Sequence, residues 1–233
     1  MTDTMPILLV PGLACSPRIY APVVPALWRF GPVTVANHIR DDNMGAIARR
    51  ILAEAPPRFA LAGHSMGGSI ALEIMRQAPD RVARLALLNA RARPDTPEAI
   101  GRRRGQMARA QNGEYHAVLD ELFAIFVHPS RRDDAALYRL VRDMGEDVGA
   151  DAFVRQQTAI MGRPDSRPML ASIACPTLVL SSDHDDTVPN SQSKEIADGI
   201  HGANFVVLTD CGHLSQLEQP EATTSAMVDW MRN

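Results

Sequence analysis

Arg58–Met75 reads RFALAGHSMGGSIALEIM, and its two halves follow different periods. Phe59-Ala60-Leu61-Ala62 is a short apolar run of strand length, whereas Ile70, Ala71, Ile74 and Met75 recur at helical spacing. Between them lies Gly63-His64-Ser65-Met66-Gly67, so Ser65 stands where a strand must turn into a helix. A turn that sharp forces its central residue into a strained backbone, and the residues two before and two after must lack side chains to avoid collision. Gly63 and Gly67 occupy those two places. The hydroxyl of Ser65 is thereby expected at the carboxyl edge of a sheet, beside a helix N-terminus whose free amides favour developing negative charge.

Working outward, short runs of similar kind recur: PILLV before Pro11, PVTVA before Asn37, LALLN before Ala90, TLVLS before Ser182 and NFVVL before Thr209. They are apolar without alternation, the pattern of strands covered on both faces. Helical patterns fall between or after them, around Tyr20–Arg29, Met44–Glu54, Met66–Gln77, Ser191–Ile200 and Pro220–Met231. Alternating strand and helix predicts an α/β fold, a doubly wound, mostly parallel sheet.

The alternation breaks once. Residues 91–172 contain no convincing strand and read as helices punctuated by RPDTP, QNG, HPS and GRPDSRP. A piece of that length between two strands is an inserted helical cap rather than a loop. The expected organisation is one domain, with residues 1–90 and 173–233 forming the core and 91–172 the cap. A chain of 233 residues suits a single core of this size.

Composition narrows the function. The chain is 45% hydrophobic and 22% charged, and no apolar stretch approaches the ~20 residues of a membrane span, so no membrane association is expected. A formal charge of −3 argues against a nucleic-acid partner. Cys15, Cys175 and Cys211 lie far apart without metal-ligand spacing, and the N-terminal stretch lacks the basic residues of an export signal. Free thiols in the cytoplasm are expected.

A serine hydroxyl is a poor nucleophile at neutral pH and needs a base, a group orienting that base, and donors for the oxyanion. Of the seven histidines, His213 follows the last strand and can reach over the edge where Ser65 sits. His64 adjoins the serine but points elsewhere on a tight turn; His184 sits in an acidic loop, His116 and His128 in the cap, His38 and His201 in expected surface loops. The orienting acid lies in LSSDHDDTVPN, where Asp185 is preferred and spacing alone leaves Asp183 and Asp186 open. Carboxylates so close in a short loop cannot all face one ion, so no metal is assigned. For the oxyanion, the backbone N–H of Met66 is one donor and that of Leu13, in VPGLACS where Gly12 permits close approach, is the other.

These residues resemble the α/β-hydrolase superfamily, in particular its small bacterial esterase-like members with a helical cap. LLVPGLACSPRIYAPVVPAL, LAGHSMGG, CPTLVLSSDHDDTVP and DCGHLSQLEQPE carry the resemblance over nearly the whole chain, in the order serine, aspartate, histidine. In similar proteins the acid is the aspartate four before a proline, which here is Asp185 before Pro189. The histidine sits in a GHxxxxExP pattern, matched by Gly212, His213, Glu218 and Pro220. Two departures stand out: Pro11-Gly12 replaces the frequent His-Gly of the oxyanion loop, and the chain starts at the family's third strand, which implies a sheet of about six strands. The resemblance implies a serine hydrolase cleaving carboxylic esters of small to medium substrates through an acyl-enzyme, with no cofactor. A lactonase, a carbon–carbon bond hydrolase and a cofactor-free perhydrolase would use the same residues; a ligand-binding module without turnover would keep only the frame.

In the cap, Phe123 and Phe126 belong to an apolar run, EYHAVLDELFAIFVHP, that either lines an acyl pocket or packs the cap onto the sheet. Between Arg91 and Asn112 six arginines face two acids, with Arg102-Arg103-Arg104 the densest part. A solvated helix face is one reading; a landing site for an acidic substrate or acyl carrier is the other. Monomer and homodimer both remain open.

Overall fold

Each of the six apolar runs forms a strand, and all pair in parallel. The computed structural model describes residues 4–232. The strands are β1 (Ile7–Val10), β2 (Val33–Val35), β3 (Phe59–His64), β4 (Val82–Leu88), β5 (Thr177–Ser182) and β6 (Asn204–Leu208). Helices α1 (Val24–Leu27), α2 (Met44–Glu54) and α3 (Met66–Gln77) separate the first four strands. Four more, α4 (Pro97–Arg109), α5 (Tyr115–Phe126), α6 (Ala135–Val148) and α7 (Ala150–Met161), lie between β4 and β5. The chain ends with α8 (Asn190–Gly199), α9 (Ser215–Glu218) and α10 (Pro220–Arg232).

The sheet order is β2-β1-β3-β4-β5-β6. It is wholly parallel rather than mostly so. Because β2 returns to one side of β1 and β3 to the other, the strand order reverses between β1 and β3. Open α/β sheets bind ligands in the crevice at such a reversal, beyond the carboxyl ends of the strands. Register places Val10 beside Gly63, so the loop after β1 and the turn carrying Ser65 open on the same crevice.

Strands β1, β3 and β5 are buried along their length, and β4 is buried from Leu85 onward, as their apolar sequences require. The edges depart from that expectation. β2 is only half-buried, and Asn204 and Val207 of β6 are exposed, because an outer strand has a neighbour on one side only. On one face α1 packs against α10, which also lies on β4, β5 and β6; on the other α3 lies on β1, β3 and β4 beside α2.

The helix expected over Tyr20–Arg29 is a correction. Instead of one helix the chain forms a 3-10 turn at Pro17–Tyr20, the four-residue α1 and a second 3-10 turn at Trp28–Phe30. Pro22 and Pro25 have no amide hydrogen to extend a helical ladder through this stretch, which accounts for the fragmentation.

The insertion between β4 and β5 reaches the loop after β6, where the His213 amide donates to Phe126 O at 2.6 Å. On α5 the buried face comprises Tyr115, Val118, Leu119, Leu122, Phe123 and Phe126. Leu119 packs against Gly145 of α6 so closely that a Cβ at Gly145 would meet its side chain. Gly113, with φ of 89°, makes the bend between α4 and α5.

Candidate active site

Strand β3 delivers Ser65 in the conformation its sequence demands. Its φ is 54° and ψ −114°, a strained region for a residue with a side chain. A Cβ at Gly63 would run into the Gly67 carbonyl, and one at Gly67 into the Val10 carbonyl. Both glycines are therefore dictated by contact. The strained turn is fixed to the sheet by the Ser65 N–H, which donates to Leu88 O at 2.9 Å.

Ser65 is half-buried, and its Oγ lies 2.7 Å from His213 Nε2. The opposite ring nitrogen, Nδ1, lies 2.7 Å from Asp185 Oδ2. Carboxylate acceptance at Nδ1 places a hydrogen there and leaves the Nε2 lone pair toward the serine. The structure thus joins three segments from the ends of β3, β5 and β6 in one hydrogen-bonded line.

Asp185 is buried and fully paired. Its Oδ1 accepts from the amides of Thr187 and Val188 at 2.9 and 2.8 Å, and its Oδ2 also accepts from Asn89 Nδ2 at 3.0 Å. Burial pushes this carboxyl upward, but the charge and hydrogen bond of His213, with the Val188 and Asn89 bonds, outweigh it and hold it below the ordinary range. The other two carboxylates have separate roles. Asp183 accepts from the Asp210 and Cys211 amides, tying the acid loop to the histidine loop, whereas Asp186 is exposed.

His213 is held from three directions. Its amide donates to Phe126 O at 2.6 Å, at the end of α5. Its carbonyl accepts from His64 Nε2 at 2.8 Å. Glu218 accepts from Leu214 N at 3.1 Å and from His128 N at 2.6 Å, clamping the histidine loop to the insertion. His64, adjacent to the serine, therefore supports the histidine without touching the serine hydroxyl. Burial and the neighbouring His213 charge lower its pKa to about 3, which keeps it neutral.

Among the described residues the amides of Leu13 and Met66 donate to no protein acceptor, and both residues line the same cavity as Ser65. The Leu13 loop is braced by Ala14 N, which donates to Gln156 Oε1 of α7 at 3.1 Å. His38 Nε2 lies 3.0 Å from Gly12 O and 3.0 Å from Gln156 Nε2. That overturns the surface-loop expectation for His38: it is buried beneath the loop, and burial lowers its pKa to about 4.

A cavity of about 360 Å³ opens above Ser65. Leu122, Ile125 and Phe126 of α5 form part of its wall. Phe123 does not; it packs edge-to-face on Tyr138 within the insertion, with ring centres 5.2 Å apart. The phase of α5 separates the two phenylalanines. Arg91, Arg102, Arg103 and Arg163 also line the cavity, whereas Arg104 does not, so the run Arg102–Arg104 is not one surface patch.

Sequence reasoning missed several of these residues. Asn89 had a visible place at the end of LALLN, but nothing in the residues announced its contact with Asp185. Gln156 and Arg163 carried no local signal. Among the described residues no cluster of histidine, cysteine and carboxylate groups suited to a metal is present.

Residues 7–226 match the model of the alpha/beta hydrolase family. The chain is similar to the pimeloyl-(acyl-carrier protein) methyl ester esterase of Neisseria meningitidis serogroup B, with 24% identity over 90% of this chain and 85% of that one. Among solved structures, it is similar to a thermophilic esterase from Thermogutta terrifontis with malate bound, at 29% identity, TM-score 0.88, and 99% and 91% coverage of the two chains. The enol-lactonase from Burkholderia xenovorans LB400 superposes with TM-score 0.88 at 25% identity, covering 99% of this chain and 92% of that one.

Proposed function

This chain belongs to the alpha/beta hydrolase family, and we propose that it is a serine carboxylesterase working through an acyl-enzyme on Ser65. The observation that carries the proposal is the continuous line from Ser65 Oγ through His213 to Asp185, with both links at 2.7 Å. Catalysis of this type requires the base lone pair on the nitrogen nearest the hydroxyl, which the Asp185 contact selects.

In the proposed reaction Ser65 Oγ attacks the ester carbonyl carbon while His213 Nε2 takes the hydroxyl proton. The carbonyl oxygen becomes an oxyanion held by the free amides of Leu13 and Met66. As the carbon–oxygen bond breaks, His213 returns that proton to the departing alcohol. Water then gives a proton to His213 as it attacks the acyl carbon; the bond from that carbon to Oγ breaks, and His213 passes the proton to Oγ, releasing the acid and restoring Ser65. Asp185 stays ionised throughout and stabilises the imidazolium. No step needs a cofactor.

The helical insertion serves in this reading as a cap, contributing Leu122, Ile125 and Phe126 to the substrate cavity. Among the described residues no helix is long and apolar enough to cross a membrane. Three unpaired cysteines, two of them buried, support a cytoplasmic location. Burial pushes the Cys15 and Cys211 thiols up to about 12, which leaves them outside the chemistry.

The test is labelling by a fluorophosphonate together with Ser65→Ala. Labelling at Ser65 and a fall in kcat of about 10⁴- to 10⁶-fold in the variant are expected. A folded parent that neither labels nor turns over any ester, lactone or vinylogous diketone would refute the proposal. The same panel separates an esterase from a lactonase or carbon–carbon bond hydrolase, and an added peroxide arm detects a perhydrolase.

A further inference from the structure

Helix α4 has no buried residue over its thirteen positions, although it lies against the rest of the molecule. Its inner face explains why. Ala99, Arg102, Arg103 and Gln106 recur at helical spacing and all line the cavity above Ser65. Where a packing helix would present leucines, this one presents two guanidiniums and an amide. Arg91, at the end of the β4 loop, and Arg163, after α7, add two more cations to the same wall.

The acids nearby do not balance them. Asp95, whose carboxylate is fully buried, accepts from Arg103 Nε at 2.6 Å and is also paired with Arg163. One carboxylate is thus shared by two guanidiniums, and Arg103 and Arg163 are further fixed by Gln157 and the Arg93 carbonyl. Asp186 at the rim pairs instead with Arg132 at 4.0 Å. Arg91 is half-buried, and among the described residues its only acceptor is the Thr187 carbonyl. Arg102 has no protein acceptor among them. Two guanidiniums with unspent donors therefore face a cavity whose floor holds Ser65, in a chain whose overall charge is −3.

We infer that this cavity selects esters bearing a second group that is a carboxylate, with Arg91 and Arg102 as its receptor and the Asp95-paired Arg103 and Arg163 as the rigid frame behind them. Guanidinium and carboxylate match as planar, charge-assisted partners, and the half-burial of Arg91 strengthens its pair. Arg91 is held by the acid loop and so is in place before the ligand arrives, whereas Arg102 is exposed on the helix with its guanidinium free to close on the ligand. A volume of about 360 Å³ suits a small half-ester of a dicarboxylic acid, or a small ester of a hydroxy acid, and both present the same carboxylate to the arginines. A carrier protein would instead engage outward-facing charges such as Arg104, which lies off the cavity.

The inference rests on the esterase reading, and its test is built to fail separately. Turnover of monoethyl glutarate is compared with that of ethyl glutaramate, in which a neutral amide replaces the carboxylate. A second pair, 4-acetoxybutanoate and 4-acetoxybutanamide, moves the carboxylate to the alcohol half. In the parent, kcat/KM is expected to favour the carboxylate member of at least one pair by about 10- to 100-fold, the range of a charge-assisted hydrogen bond. That ratio should fall toward one in Arg91→Gln and in Arg102→Gln and stay at the parental value in Arg104→Gln. Free glutarate should inhibit the parent competitively, and Arg102→Gln much more weakly.

Ser65 labelling with a parental ratio of one or less for both pairs would overturn the inference while leaving the esterase standing. Preference for the same acyl chain only when attached to an acidic carrier protein, abolished in Arg104→Gln, would replace it with carrier docking. Absence of labelling would remove the esterase reading itself.

Discussion

Asp185→Asn is the substitution whose consequence the hydrogen-bond geometry specifies most fully. The new side chain must place one oxygen and one NH₂ where two carboxylate oxygens stood. The Oδ1 site faces the donating amides of Thr187 and Val188, so the amide oxygen must take it. The NH₂ is then left opposite His213 Nδ1. A donor there requires Nδ1 to accept, and the ring hydrogen moves to Nε2, pointing at Ser65 Oγ. The histidine then has no lone pair for the serine proton.

The surrounding structure can absorb the change in part. Asn89 now donates to Asp185 Oδ2 and to Ser182 Oγ, while its own Oδ1 is buried without a partner. A flip of Asn89 presents that Oδ1 to the new NH₂, and the Ser182 hydroxyl rotates to donate to it. The flip leaves the Asn89 NH₂ at the buried spot where Oδ1 had no partner and takes the Ser182 hydroxyl from Cys211 Sγ, so the variant should fold with a loss of about 1–3 kcal/mol. Loss of the correct tautomer alone is worth about 10⁴-fold in kcat, or about 5.5 kcal/mol of transition-state stabilisation. The assay is kcat on p-nitrophenyl butyrate beside the thermal midpoint of the same preparation. A variant that is folded at the assay temperature and keeps kcat within tenfold of the parent would refute the assignment of Asp185 as the residue that sets the tautomer of His213.

Two buried histidines predict acid lability. His38 and His64 have folded pKa values lowered to about 4 and about 3; in the unfolded chain they titrate near 6.5. Between those values the unfolded state binds more protons, so stability falls as pH drops below 6.5, by about 2 kcal/mol per histidine at pH 5; urea midpoints at pH 7 and pH 5 measure it, and His38→Gln should reduce the difference by about half. Gly67→Ala places a Cβ against the Val10 and Pro11 carbonyls, which are backbone and cannot swing away. A loss of about 3 kcal/mol, or about 10 °C in the melting midpoint, is expected, and an unchanged midpoint would contradict the packing described at the turn. Glu218→Gln keeps one acceptor and turns the other into a donor facing an amide, either Leu214 N or His128 N. Because those bonds fix the histidine loop rather than substrate, kcat should fall about tenfold with KM nearly constant; a change confined to KM would argue against the clamp.

The parts legible in the sequence are those whose cause is local. The turn at Ser65 could be read because strand, glycines and helix follow one another within eighteen residues of chain. Position after the last strand singled out His213. Spacing could not separate Asp185 from Asp183 and Asp186, because what distinguishes them is where the amides of Thr187 and Val188 point. His38 and Gln156 meet across 118 positions of sequence, and Asn89 reaches Asp185 across 96. The first contact is made by the docking of α7 on the loops and the second by the pairing of β4 with β5, and no window of sequence contains them. The arginine run could not be divided from sequence for a related reason: its residues project at different angles around the helix, so Arg102 and Arg103 line the cavity and Arg104 does not.

Backbone strain locates the rim more sharply than residue type does. Among the described residues, the non-glycine residues with positive φ are Ala14, Ser65, Asn89 and Asp210, each in the chain just after a strand of the sheet. Glycine would relieve the strain at each position. At Ser65 and Asn89 it would also remove the hydroxyl that faces His213 and the amide that orients Asp185. Both conformations are held by sheet-edge hydrogen bonds, from Ser65 N to Leu88 O at 2.9 Å and from Asn89 N to Leu180 O at 2.8 Å. The neighbouring strand therefore supplies the restraint that lets a residue with a side chain occupy a glycine's conformation. The order β1-β3-β4-β5 is on that account a requirement of the site itself: separating β4 from β3 or β5 would release the strain at Ser65 or Asn89 and dissolve the line between them.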